Sequence, residues 1–512
     1  MVSSTSLILV IIVVYLLAMV LVGAYFSSRG SGSSSSEFFI GGRKLGPIVT
    51  AMSAEASDMS SYLLMGLPGL AYFAGVAEVG WTVIGLAAGT YLNWLLVARL
   101  LRRYSDEIAA FTIPNFFSRR YGDKKNLLGL IAALVIIIFF VPYTASGFKA
   151  VGTLFNTLFG FDYHISMLVG AVIIIGYTTL GGFMAVSTTD LIQSIFMTVA
   201  LIVVVFFGIG QAGGMGAVME NAASLPGYLD LGAGYDMATN SAGSFGFLPV
   251  VSTLAWGLGY FGMPHILLRF MAIRREEELN MSRRIASVWV VFSMAIAVFI
   301  GIIGNAMSKA GLIPYLTTGS DAETIVIKIA DLMGKHGLFF ILMAGIIMAG
   351  ILAATMSTAD SQLLAAASSV SQDLLQDFAH VKLSRKASMH AARLTVIGIA
   401  VIAVFLAWDP NSSVFRVISF AWAGFGATFG PTMLLALFWR RSNRQGALAG
   451  MIVGAVMVFV WKFLIAPLGG ALAIYELLPA FIFGLIANVV VSRLTAEPED
   501  FILETFDKVH KN

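Results

Sequence analysis

The sequence predicts an all-α polytopic membrane protein of about thirteen transmembrane helices, folded as one integral domain. Three observations carry that expectation. The 512 residues are 58% hydrophobic and only 12% charged, with a mean hydropathy of +0.88; a soluble domain carries about 25% charged residues. Apolar runs of the roughly 20 residues needed to cross hydrocarbon recur along the whole chain. Lysine and arginine cluster in alternate gaps between those runs.

The candidate spans, numbered 1 to 13 in chain order, cover residues 5–27, 47–76, 79–101, 126–156, 164–182, 189–211, 246–271, 285–309, 335–371, 391–408, 413–438, 446–465 and 473–494. Span 1 lacks a basic leader and a small-residue cleavage site, so it is expected to be retained rather than removed. The stretch 27–37 is rich in Ser and Gly and reads as a flexible linker, leaving span 1 peripheral. Span 9 is too long for one straight crossing and is expected to bend or project.

Charge placement sets the orientation. Arg43 and Lys44, the run from Arg99 to Lys125, Arg269 to Arg284, Lys382 to Arg393, Arg440 to Arg444, and Arg493 to Lys511 hold most of the 31 Lys and Arg. Residues 212–244 hold none. The N-terminus is therefore expected outside and the C-terminus inside.

Several classes are excluded or disfavoured. The chain has no cysteine, which removes disulfides, zinc–thiolate sites and cysteine nucleophiles. A net charge of +3 gives no reason to expect nucleic acid. No HExxH or other catalytic constellation is present, so no enzyme is expected, and no cofactor or obligatory protein partner. His164, His336, His380, His390 and His510 fall near loops or ends without metal-ligand spacing. His265, in span 7, fits either a structural hydrogen bond or a proton relay. A channel would need a continuous polar path, and a sensor an output domain.

Span 2 is the first polar anomaly. Asp58 lies in SAEASDMSSYLLMGLPG, residues 53–69. An Asp at a helix centre costs about 2.5–3.5 kcal/mol on insertion, so it marks an ion, a cavity or a partner. Ser57, Ser60 and Ser61 surround it, and Gly66, Pro68 and Gly69 follow, which predicts a helix broken near its middle. Glu55, three residues before Asp58, shares its helix face. Three roles fit Glu55: a protonated acid, a pair with a cation, or a group facing a wet vestibule.

Span 7 is the second. WGLGYFGMPHILLRFMA, residues 256–272, packs Gly257, Gly259, Gly262 and Pro264 into eight positions. One such helix can be a plain kink. Two broken helices five spans apart, one with an intramembrane Asp, point instead to a secondary transporter's binding site. The halves would be spans 2–6 and 7–11, inverted because each repeat holds an odd number of helices. In span 9, ILAATMSTADSQLL (351–364) offers the adjacent hydroxyls of Ser357 and Thr358 beside Ala353 and Ala354. These suit a hard monovalent cation, and equally a small-residue packing face with back-bonded hydroxyls. Asp373 and Asp377 read as solvated; Asp360 is open.

These segments resemble the sodium/solute symporter family. AMSAEASDMS in span 2, GYFGMPHIL in span 7, AATMST in span 9 and GALAGMIVGA in span 12 carry the resemblance. It runs from GGRKLGP (41–47) to span 13 and is closest to the proline carriers. It implies a leucine-transporter-type fold with one extra helix first: 1–40 for that helix and linker, 41–211 and 246–438 for the repeats, 212–245 for an external loop, and 439–512 for spans 12, 13 and a tail. It also implies symport of sodium with L-proline in a bacterial cytoplasmic membrane. Sodium would lie on Ala56, Met59, Ala354, Ser357 and Thr358, with Asp58 nearby. Proline would lie on Ser60, Tyr143, Trp256, Tyr260 and Pro264. Arg43 and Asp190 would serve coupling or gating. The family often has Gly-Trp where this chain has Ser61-Tyr62, which keeps an aromatic ring at the second position. The alternative is a sodium or proton symporter for another small solute, such as pantothenate or another carboxylate.

Overall fold

The structure is a computed structural model and describes residues 4–29, 39–178 and 182–511. Most of the 27–37 linker lies outside these. Among the described residues, ten helices are long and apolar enough to cross a membrane. Shorter apolar helices cover Tyr163–Gly176 and Phe247–Gly262. Helix occupies each predicted stretch, with shifted ends: span 3 runs on to Glu107, span 6 starts at Phe183, and span 9 continues with wider winding to Phe378. The stretch 212–245 folds into a helix, Met215–Ser224, and a hairpin pairing Ala233–Asp236 with Ser241–Ser244.

Both expected breaks are present. The first half of span 2, Pro47–Ser61, starts on a proline at its first turn, where a missing N–H is harmless. Helical geometry fails at Ser60 (φ 46°, ψ −167°). The chain passes through a wide turn, Tyr62–Gly66, into a second half-helix, Leu67–Ala74, with Pro68 in its first turn. In span 7, Phe247–Leu254 tightens into a 3₁₀ stretch, Ala255–Gly262; Met263 is extended, and Pro264–Ala272 begins anew.

The glycines of span 7 are explained by contact rather than by turning. A side chain on Gly257 would strike the backbone of Gly85, and one on Gly259 would strike the Trp422 indole. One on Gly262 would strike the Phe425 carbonyl. Spans 3 and 11 thus press backbone-close on the break from two sides.

Pro47–Ser61 is the centre of the bundle. It packs on Leu338–Ser368, Phe183–Gln211, Leu279–Lys309 and Pro264–Ala272. Every residue from Thr50 to Ser61 is buried. The basic end is less solvated than the charge pattern suggests. Arg120 is buried among the rings of Tyr104, Tyr121 and Phe506, and its Nε donates to the Ala436 carbonyl. The C-terminal helix Asp500–Lys511 lies across this end, with Lys508 paired to Glu107 and Asp507 to Arg440.

Gly257→Val should overpack the span 3 contact and cost about 1–3 kcal/mol. The check is a thermal unfolding midpoint in detergent below wild type; an unchanged midpoint would show that the break can relax away from span 3.

Candidate functional site

The ion-site residues expected on spans 2 and 9 meet in the bundle centre. The Ser357 hydroxyl donates to the Ala56 carbonyl (2.8 Å) and also approaches the Ala354 carbonyl (3.2 Å). The Thr358 hydroxyl donates to the same Ala354 carbonyl (3.2 Å). Four of the five expected oxygens therefore form one connected set, all buried. The fifth, the Met59 carbonyl, lies at the break and accepts the Tyr62 N–H. Back-bonded hydroxyls alone would have pointed to packing, but Ser357 reaches across to another helix at a point where its backbone is about to unwind. The set is neutral and oxygen-rich, which fits a hard monovalent cation.

Asp58 faces the other way. Its Oδ2 accepts the Tyr260 hydroxyl at 2.5 Å, and its carbonyl accepts the Tyr143 hydroxyl at 3.2 Å. Asp58 thus ties span 2 to spans 7 and 4 through two of the expected solute residues. Ser60 turns its hydroxyl onto the Tyr62 N–H (3.1 Å), satisfying a donor freed by the break.

Trp256 and Tyr260, four apart on the 3₁₀ stretch, sit in an aromatic cluster. Trp256 stacks on Tyr62 (centroids 5.8 Å) and on Tyr475 (5.0 Å) and meets Phe415 (5.3 Å). Tyr260 meets Trp422 edge-on at 5.1 Å. The Trp422 indole N–H donates to the Trp256 carbonyl (2.8 Å). Tyr62 supplies a stacking face. Pro264 opens the second half-helix, fully buried. A small cavity lies between Ser61, Tyr143, Thr144, Thr355, Thr358 and Gln362. The Ser61 and Thr144 hydroxyls and the Gln362 amide are buried there without partners among the described residues. Glu323, between spans 8 and 9, accepts the Ser413 hydroxyl and the N–H groups of Val414 and Phe415, capping span 11 beneath the aromatic cluster.

Glu55 is 1% exposed, so it faces no wet vestibule. Its Oε1 accepts the Trp94 indole N–H (2.9 Å) and the Thr90 hydroxyl (3.4 Å), while Oε2 has no partner. Among the described residues no Lys or Arg pairs with it.

Toward the basic end, Arg269 and Asp190 form a buried ion pair at 3.1 Å, exposed by 1% or less. Ser53 donates to Asp190 (2.6 Å) and accepts from Arg269 Nε (3.0 Å); Arg269 also reaches Ser361 (2.6 Å). This corrects the sequence reading of Arg269 as an inward loop charge. An Arg inside span 7 was itself the signal, because a membrane-depth charge needs a partner. Asp373 is also corrected: it is buried and accepts the Thr112 hydroxyl (2.7 Å). His265 lies wholly buried against Phe140, and among the described residues no side chain hydrogen-bonds its ring.

Arg43 closes the same end. One guanidinium bonds Ser105 Oγ (3.0 Å), the Met271 carbonyl (2.6 Å) and the carbonyls of Ser105 (2.9 Å) and Ala110 (2.8 Å), beside Asp106 at 3.3 Å. It therefore joins the ends of spans 3 and 7 to the start of span 2. Burial, with Arg102 alongside, lowers this guanidinium to about 10, still charged at neutral pH.

Comparison with known proteins follows the geometry. A model of the sodium:solute symporter family matches residues 38–454. A sodium/proline symporter of Haemophilus influenzae is 42% identical over 480 residues, covering 93% of this chain and 92% of that protein. One from Staphylococcus aureus is 40% identical over 481 residues, covering 93% and 90%. Among solved structures, a sodium-coupled sialic acid symporter in a substrate-bound outward-open state superposes with TM-score 0.77 at 18% identity. The match covers 96% of this chain and 99% of that one, and shows a shared fold.

Asp190→Ala should leave the Arg269 charge buried and unpaired, at a cost of about 3–5 kcal/mol. Asp190→Leu with Arg269→Met should lose less than either single change. Thermal unfolding of the four proteins in a double-mutant cycle checks this, and simple additivity would mean that the pair is not coupled.

Proposed function

The chain belongs to the sodium:solute symporter family, and from that premise we propose that it couples sodium entry to uptake of L-proline by alternating access. The observation that carries this reading is the Tyr260–Asp58 hydrogen bond, which joins the two broken helices at their breaks. Sodium binds on Ala56, Met59, Ala354, Ser357 and Thr358, where Ser357 already bridges spans 2 and 9. Its charge draws the unwound segment of span 2 into the shape that receives proline. Asp58 attracts the ion from close by and is itself held by Tyr260.

Proline is a zwitterion with a compact apolar ring. Trp256, Tyr260 and Tyr143 supply faces for the ring and for a secondary ammonium. Ser60 and the free backbone amides at the break supply donors for the carboxylate. The aromatic cluster of Tyr62, Phe415 and Trp256 shuts the site on one side, and Arg43 with the Asp190–Arg269 pair shuts it on the other. Alternating access opens one closure while the other holds.

The same reading takes about thirteen crossings, with N-terminus outside and C-terminus inside a bacterial cytoplasmic membrane. Spans 2–6 (41–211) and 7–11 (246–438) are the inverted repeats, joined by the external loop 212–245. Residues 1–40 precede them, and 439–512 follow as spans 12, 13 and tail. Sodium is the coupling ion. One charge moving through 100 mV is worth ~2.3 kcal/mol, and a tenfold sodium gradient adds ~1.4 kcal/mol. One sodium per solute therefore supports an accumulation of several hundredfold.

Thr358→Ala should raise the half-saturating sodium about tenfold while changing the maximal rate less. Uptake of labelled proline into vesicles across a sodium series checks it; an unaltered sodium dependence removes Thr358 from the site. In the same vesicles, proline should compete better than pantothenate or other small carboxylates, and the reverse ranking would replace proline as the solute.

A further inference from the structure

Neither half of the site is self-supporting. Span 7 is 3₁₀ rather than α-helical between Ala255 and Gly262, and the Tyr260 carbonyl has no α-helical donor four residues on because Pro264 lacks an N–H. The Tyr260 carbonyl finds one in Asn93 Nδ2 at 3.0 Å. A carbonyl can only accept, so Asn93 must present its NH2 there. Three residues of one helical face (positions i, i+3 and i+4) lie together on span 3: Thr90, Asn93 and Trp94. Thr90 and Trp94 hold Glu55 on span 2, and Asn93 holds Tyr260 on span 7. Tyr260 in turn holds Asp58, one turn beyond Glu55. The hydrogen bonds therefore close a ring: Asn93 to Tyr260, Tyr260 to Asp58, along span 2 to Glu55, and back through Trp94 to span 3.

All five side chains are buried, so water cannot replace a lost member. The ring is also backed by hard contact. Gly89 of span 3 sits against the backbone of Gly257, and the Trp94 indole lies on Phe270 (centroids 4.4 Å). Span 3 leaves regular α winding at this point, in the wide turn Asn93–Val97, a feature that recurs at functional sites.

We propose that Asn93, with Trp94 beside it, is a positioning residue that makes the solute site answer to the sodium site. This rests on the sodium/proline reading above. The ion-side carbonyl, Ala56, adjoins Glu55 in the chain. A shift of span 2 on ion binding is passed by Asp58 to the Tyr260 hydroxyl. Asn93 keeps the Tyr260 backbone from simply following, so the ring of Tyr260 reorients against proline instead of drifting. Trp94 anchors the span 2 side of the same splint. Linkage requires that the effect be mutual: sodium tightens proline by the factor by which proline tightens sodium.

The test uses the full-length protein in proteoliposomes with an imposed inward sodium gradient. Proline KM is measured at low and at saturating sodium. Asn93→Leu keeps the volume and deletes the donor. It should raise KM at saturating sodium about tenfold and shrink the sodium-induced drop in KM to within about twofold, with the maximal rate per folded protein nearly unchanged. Asn93→Gln returns an amide N–H and should recover most of the sodium effect. Trp94→Phe keeps the ring on Phe270 and loses only the N–H to Glu55; it should raise half-saturating sodium severalfold and leave KM at saturating sodium alone. A wild-type sodium effect in Asn93→Leu, or a fall in maximal rate alone, overturns the proposal. If Asn93→Leu does not fold, Trp94→Phe with wild-type sodium dependence overturns it. Wild-type protein without sodium-stimulated proline uptake overturns the functional reading itself, which separates the two failures.

Discussion

Inside a bilayer no water completes an interrupted backbone, and the architecture follows from that constraint. Two helices must be unwound to offer oxygens and amides to an ion and a solute. Each unwound group then needs a partner from the protein. Ser60 supplies its own hydroxyl to the Tyr62 amide, Trp422 supplies an indole to the Trp256 carbonyl, and Asn93 an amide to the Tyr260 carbonyl. The Trp422 and Asn93 donors come from other helices, so breaking a helix obliges its neighbours to be polar at matching depths. That is why side chains such as Asn93, Thr90 and Ser357 appear in otherwise apolar spans.

The same logic governs charge. Asp58, Glu55, Asp190, Arg269 and Asp373 are all buried. Only Arg269 and Asp190 cancel one another as an ion pair. Asp58, Glu55 and Asp373 are held by hydroxyl or indole donors instead. Such groups are costly in hydrocarbon, and their retention is the mark of function rather than of stability. The ion pair and the Arg43 contacts lie on the same side of the site, where the proposed transport cycle would part the helices.

Much of this was legible in the sequence because membrane helices are limited by length and by backbone satisfaction. The apolar stretches and the breaks at Ser60 and between Gly257 and Pro264 follow from local composition, whereas the meeting of Ala56 with Ser357 was expected only from the family resemblance. What was not legible is what depends on depth and azimuth. Arg269 was read as a loop charge because its position relative to Asp190, on another helix, has no local signature. Asp373 looked solvated because the helix end that buries it comes from residues 112–115. Phe415, Trp422 and Tyr475 are ordinary aromatic residues in their own spans and acquire meaning only beside Trp256. The Asn93–Tyr260 contact is a pairing across spans 3 and 7, and one sequence carries no trace of it.

The aromatic cluster over the site has a thermodynamic consequence. Tyr62, Trp256, Phe415 and Tyr475 stack face to face or nearly so, with Trp256 and Tyr62 almost wholly withdrawn from solvent. In the proposed transport cycle, parting them to admit a solute would wet aromatic surface, and newly wetted apolar surface raises heat capacity. The equilibrium between closed and open mouths therefore cannot have a temperature-independent enthalpy. Its van't Hoff plot must curve, and cooling weakens the hydrophobic part of the force that keeps the mouth shut.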